Sequence, residues 1–83
     1  MVSYPLVLIK WEDIVSSDSN WKESDDALSW SDSESGVVYQ VGFKLDEDEH
    51  HIILIDSYFP QGDYVGTVTR IPKEVIRETK TLL

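Results

Sequence analysis

Eighty-three residues make one domain, residues 1–83, with no room for a second. The absence of cysteine excludes a disulfide framework, a thiolate metal site and a cysteine nucleophile. A net charge of −9 disfavours direct nucleic-acid binding, because phosphate backbones are held by Lys and Arg, and it favours a basic partner.

The first predicted element is the stretch YPLVLIKW (4–11). It is apolar at nearly every position, so a strand covered on both faces is expected. Its start, MVSYPLVLIKWED, lacks a basic leader, and the apolar run is too short for a signal peptide or a membrane span. A cytoplasmic protein with no membrane contact is the expectation.

Composition then changes abruptly. Residues 12–35, EDIVSSDSNWKESDDALSWSDSES, are rich in Ser and acid and form a long excursion after the first strand. Asn20 and Glu23 have capping-box spacing, and Trp21 and Leu28 stand seven apart, so a short helix is predicted at about 21–30. The next run, GVVYQVGFKL (36–45), alternates. Val37, Tyr39, Val41, Phe43 and Leu45 share one face, while Val38, Gln40, Gly42 and Lys44 share the other, as in a half-buried strand. HHIILIDSYF (50–59) predicts a central strand, PQGD (60–63) a turn, and YVGTVTRI (64–71) a strand in which Gly66 marks a bulge or a close backbone approach. PKEV (72–75) predicts one proline-opened helical turn, and IRETKTLL (76–83) a closing strand.

Five short strands with a one-turn helix before the fifth resemble the layout of a small SH3-like barrel, and GTVTRIPKEVI (66–76) resembles the end of one. The fold expected is therefore mainly β, a five-stranded SH3-like barrel carrying the acidic insertion in place of its long first loop. Many functions sit on such folds.

The acids are distributed unevenly. Residues 11–63 hold 14 of them against Lys22 and Lys44, whereas 70–80 holds Arg70, Lys73, Arg77 and Lys80 against Glu74 and Glu78. The knot DEDEHH (46–51) has neither the glycine nor the terminal glutamate of a calcium loop, and adjacent His50 and His51 on a strand point to opposite faces. It is read as a solvated hairpin tip, since four neighbouring carboxylates need water to screen them. The basic tail is read as an internal counterweight to the acidic excursion.

Within the excursion, Trp21 and Trp30 stand among Asp25, Asp26, Asp32 and Glu34. Trp is enriched at binding hot spots, and acids around it steer a basic partner, so these six form the candidate partner-binding face. Such a face resembles the charge pattern of DNA, a route onto nucleic-acid-binding proteins. Trp11 closes the first strand and is assigned to the core. No serine stands on a G-x-S-x-G elbow, the four glycines have no phosphate-binding spacing, and no nucleophile–base pair is present, so no catalytic residue, cofactor or metal is assigned.

Across nearly the whole chain, the arrangement resembles small accessory proteins of bacteriophages and prophages. The matching residues are Trp11 and Asp13, Trp21, Val41 and Gly42, Ile52 to Ile55, and Ile71 to Lys73. The resemblance implies a phage-encoded protein acting in the host cytoplasm and transfers no catalytic residues. The leading function is a non-enzymatic acidic binding protein that docks on a basic protein, such as a defence or nucleic-acid-processing factor, and modulates it. The alternatives are a structural or assembly protein that self-associates through strand edges, giving a homo-oligomer, and a barrel binding a small molecule in an aromatic pocket. An enzyme ranks last.

Overall fold

The computed structural model describes residues 1–32 and 36–83. Five antiparallel strands form one sheet: β1 (Leu6–Glu12), β2 (Val37–Glu47), β3 (His51–Ile55), β4 (Val68–Pro72) and β5 (Ile76–Thr81). Their spatial order is β4-β3-β2-β1-β5. Helix α1 (Ser24–Ser31) interrupts the passage from β1 to β2, and a 3₁₀ turn (Lys73–Val75) joins β4 to β5.

That last connection dictates the shape of the sheet. β4 and β5 are its two edges, and in a flat sheet four strand spacings would separate them by about 19 Å. Three residues link Pro72 to Ile76, and even a fully extended link of that length reaches only about 14 Å. The sheet must therefore coil until its edges approach at the turn. The mainly β expectation of five strands holds, in one open sheet: among the described strands β4 and β5 do not pair.

Coiling divides the side chains into an inner and an outer set. Inside, Val7, Ile9, Ile52, Leu54 and Ile71 form the buried cluster, with Trp11, Val75 and Ile76 packed against it. Each such aliphatic contributes about 1.5–3 kcal/mol when removed from water. The Trp11 indole N–H donates to Gln40 Oε1 at 3.0 Å, which satisfies both polar atoms at the rim of this core.

Two expectations about faces are corrected. β1 is covered on one side only: Val7 and Ile9 are buried, while Leu6 and Leu8 on the other face stay half-exposed. On β2 the apolar face turns outward, with Tyr39 65% and Val41 55% exposed, and the inner position belongs to buried Gly42. The reason is space. Gly42 lies opposite Val7, and a Cβ added to it would come within 3.2 Å of Leu54 Cβ and 3.3 Å of the Ile55 carbonyl. The concave side of the coil has no room there for the larger residues.

β3 stops at Ile55 rather than 59, and β4 starts at Val68 rather than 64. Between them Asp56 Oδ1 accepts the Thr67 N–H at 2.9 Å and the Ser57 hydroxyl at 2.9 Å. Gly66 passes so close that an added Cβ would lie 2.1 Å from Asp56 Oδ1, which is the close backbone approach expected at this glycine. Beyond it, only the Tyr58–Val65 bridge continues the pairing.

Candidate functional site

The excursion between β1 and β2 leaves the sheet as an arm with a tied root. The Asp13 N–H donates to the Gly36 carbonyl at 2.7 Å, beside the Glu12–Val37 pair that ends the β1–β2 ladder. Gly36 enters β2 with φ of 94°, a left-handed conformation that favours glycine. Above this root the arm buries none of the residues of α1. The chain measures 58 × 22 × 21 Å with a radius of gyration of 17.1 Å, against about 12 Å for a compact chain of this size.

Along the ascending limb Lys22 acts as a clasp. Its Nζ donates to Ser17 Oγ at 3.1 Å, Asp18 Oδ1 at 3.2 Å and the Asn20 carbonyl at 3.2 Å. The hydrogen bond and charge of Lys22 hold the Asp18 carboxyl below the usual carboxylate range. The helix begins at Ser24 rather than 21, and the expected capping box does not form: Glu23 takes the N-cap position without a side-chain bond. Asn20 is drawn away because its N–H donates to Asp18 Oδ1. Trp21 consequently lies outside the helix and does not share a helical face with Leu28.

Of the six residues expected to form the partner-binding face, five are described and all five are exposed. Trp21 has no shelter at all, and Trp30 is 38% exposed. With about 3.6 residues per turn, Leu28 falls beside Asp25 and Trp30 beside Asp26, so α1 mixes acid and apolar residues around its surface and has no separate apolar side. Asp25 and Asp26 occupy the first turn, where the helix dipole favours negative charge. Among the described residues, no Lys, Arg or His lies within ion-pair distance of Asp25, Asp26 or Asp32. Glu34, the sixth, lies outside the described residues.

The acidic knot is a turn. Asp48 Oδ1 accepts the backbone N–H groups of His50 and His51, each at 2.7 Å, and these bonds lower its pKa. Glu47 accepts from Lys73 at 2.7 Å and Lys44 at 3.0 Å, and those two ammonium groups hold its carboxyl below the usual range. In the basic tail, Arg77 Nε donates to Glu12 Oε2 at 2.9 Å, so Arg77 and Lys73 are paired within the body.

The sequence reading missed the outward face of the sheet as a surface in its own right. Leu8, Lys10, Tyr39, Glu78 and Lys80 line a cleft of about 190 Å³, with Val41 beside it opposite Leu8. Lys10 Nζ stands 5.8 Å from the centre of the Tyr39 ring. Among the described residues Lys10, Arg70 and Lys80 have no carboxylate within ion-pair distance, unlike the other four bases. The alternation of β2 announced an apolar face; Gly42 was the sign that it would point outward.

A second cleft, of about 240 Å³, lies in the β3–β4 loop between Tyr58, Phe59 and Tyr64. The rings of Phe59 and Tyr64 meet edge to face, with centroids 6.4 Å apart. Among the described residues no helix is long and apolar enough to cross a membrane. Comparison with protein families, curated proteins and solved structures finds no match to the chain.

Proposed function

We propose that the chain is a non-enzymatic binding module that docks its acidic, tryptophan-bearing arm on a cationic protein and thereby modulates it. The observation that carries this reading is that Trp21 is fully exposed at the end of a limb that buries nothing on its own body. An exposed Trp is costly to leave in water unless a partner covers it, and it buries about 150–250 Å² when one does. Unpaired Asp25, Asp26 and Asp32 supply the steering field, and the same charge pattern suits a protein surface that ordinarily binds nucleic acid. On the resemblance to phage accessory proteins, we read the partner as a host-cytoplasmic defence or nucleic-acid-processing factor, a class whose charge suits the arm. The scaffold is read as an SH3-like barrel left open. The strand order β4-β3-β2-β1-β5 and the 3₁₀ turn before β5 support that reading.

A small-molecule site is less well supported. The aromatic cleft of about 240 Å³ is below the size of ordinary ligand pockets, about 300–1,000 Å³, and no charged side chain lines it.

The test is capture of partners from a host lysate at low and high salt, with identification of what is bound. A basic protein retained at low salt and released as salt rises is the expected result. Trp21→Ala should abolish that capture. Failure to retain any basic protein across the salt series would overturn the reading.

A further inference from the structure

β2 is longer than its partner on one side. β1 pairs with it from Val37 to Phe43, whereas β3 pairs with it only from Phe43 to Glu47. The Asp13 N–H meets the Gly36 carbonyl and the Lys44 N–H meets the Pro5 carbonyl, so the even-numbered residues of β2 turn their backbone groups to β1. Val37, Tyr39 and Val41 turn theirs the other way, and among the described residues no backbone group pairs with them there. β3 leaves this edge because Asp56 binds the Thr67 N–H and Tyr58 packs edge to face on Phe43 and Tyr4, which draws the chain off the sheet. We propose that the unpaired stretch of β2 is a strand-docking slot, and that its occupant is an extended, basic segment of the cationic partner. The inference deepens the proposed function and rests on it for the sign of the partner's charge.

Three observations support the slot and its occupant. The first is a contrast among the unpaired strand edges. β4 carries Arg70 and Pro72 and β5 carries Arg77 and Lys80, residue types that discourage an added strand. Val37 to Gly42 reads VVYQVG, with neither charge nor proline. The second is the space beside it. A cavity of about 140 Å³ opens along this edge, lined on the concave side by Gln40, Gly42, Leu54 and Thr69. An added strand sends alternate side chains to that side, and the cavity suits a small one such as Val or Thr. On the other face, exposed Tyr39 and Val41 would gain cross-strand neighbours.

The third is charge. Asp56 is the ionisable residue that lines the cavity, and beyond the opposite end of the stretch lies the root of the arm with Asp13. Lys10 stands over the Tyr39 ring, so the slot favours a base at its Asp56 end and an apolar residue opposite Tyr39. Main-chain bonds would supply the grip and the acids the choice of segment. Strand and arm would then hold one partner at two points, joined through Gly36.

Amide hydrogen exchange on the full chain, followed by NMR, tests this with synthetic peptides of about ten residues, long enough to span the slot. One peptide alternates Val and Lys. A second alternates Pro and Lys, which keeps the charge and removes half of the N–H donors. A third alternates Val and Glu. In the free chain Tyr39 and Val41 should exchange fast while Gln40 and Gly42, bonded to β1, exchange slowly. The Val–Lys peptide should slow Tyr39 and Val41 about ten-fold or more, and bind about ten-fold tighter than the Pro–Lys peptide. Asp56→Asn keeps an oxygen for the Thr67 N–H and should weaken Val–Lys binding about two- to five-fold at low salt.

Slow exchange of Tyr39 and Val41 in the free chain overturns the proposal, because the edge would already be covered. Protection that appears along β4 or β5 instead of β2 does the same. Equal binding of the two lysine peptides, without protection of Tyr39 and Val41, also overturns it; if the perturbed signals then gather at Trp21, Asp25 and Asp26, the proposed function survives alone. A Val–Glu peptide that protects β2 as well as the Val–Lys peptide removes the basic occupant. Protection of Tyr39 and Val41 by the Val–Lys peptide, in a chain that captures no basic protein through its arm, would leave the slot and remove the arm's role.

Discussion

The coiled sheet and the arm are made from opposite kinds of sequence and carry opposite duties. In the sheet, the inward aliphatic residues of β1, β3 and β4 pack together and seal Ile9 and its neighbours from water. In the arm, Ser and Asp fill most positions, the hydrogen bonds are local clasps such as that of Lys22, and no residue of α1 is buried. Stability is concentrated in the first region and surface chemistry in the second. A chain this small, with six buried hydrophobic residues among those described, gains by separating the two, since binding residues drawn from the core would weaken it.

The largest test of that division compares one residue from each side. Ile9→Ala should cost about 2–5 kcal/mol, a fall in melting temperature on the order of 10–30 °C. Trp21→Ala, measured dilute enough to exclude association, should change stability by less than about 0.5 kcal/mol although it removes a far larger side chain. Equal losses from the two substitutions would break the comparison.

A second test sharpens it within β2. Gly42→Val places branched methyl groups against Leu54 and the Ile55 carbonyl and should cost about 1–3 kcal/mol by overpacking. Val41→Thr, one residue away on the outward face, should cost less than about 0.5 kcal/mol. Denaturant midpoints for the pair would show whether the inner and outer sides have been assigned correctly.

The smallest effect is electrostatic. The Glu47 carboxyl titrates below its unfolded value because Lys73 and Lys44 hydrogen-bond to its charged form. A lowered folded pKa contributes stability that is present above the unfolded value, about 4.3, and is lost as pH falls through the lowered folded value. The groups are half-exposed, so the contribution should be well under about 1 kcal/mol. Melting followed from about pH 6 to about pH 3 should show the parent's advantage over Glu47→Gln shrinking on the acid side. A gap that widens on acidification would contradict the pairing.

The order of the elements was legible because periodicity and punctuation agree along the chain. Pro72 opens the 3₁₀ turn where a proline-started turn was expected, and Gly66 lies at the tight approach its position announced. Strand limits around the β3–β4 loop were not legible, since Asp56 ends β3 by capturing a backbone N–H eleven residues away, a contact with no local signature. Nor was the direction of β2. Alternation distinguishes two faces but does not say which is concave, and the coil that decides it is imposed by the short link from Pro72 to Ile76. For the candidate site, the exposure of Trp21, Asp25, Asp26, Trp30 and Asp32 follows directly from their setting among serines and acids. The cleft on the sheet surface depends on three separate strands meeting, which one stretch of sequence cannot display.

The bond from Asp13 to Gly36 has a consequence for how such a molecule can change. Because the two feet of the arm are already neighbours, the sheet is indifferent to what is strung between them, and doubling the intervening length costs only about 0.6 kcal/mol in closure entropy. Insertions, deletions and wholesale replacement at this point leave the buried cluster of the sheet untouched. The position is therefore an open graft site, at which descendants or designers can rewrite target choice while inheriting the scaffold unchanged.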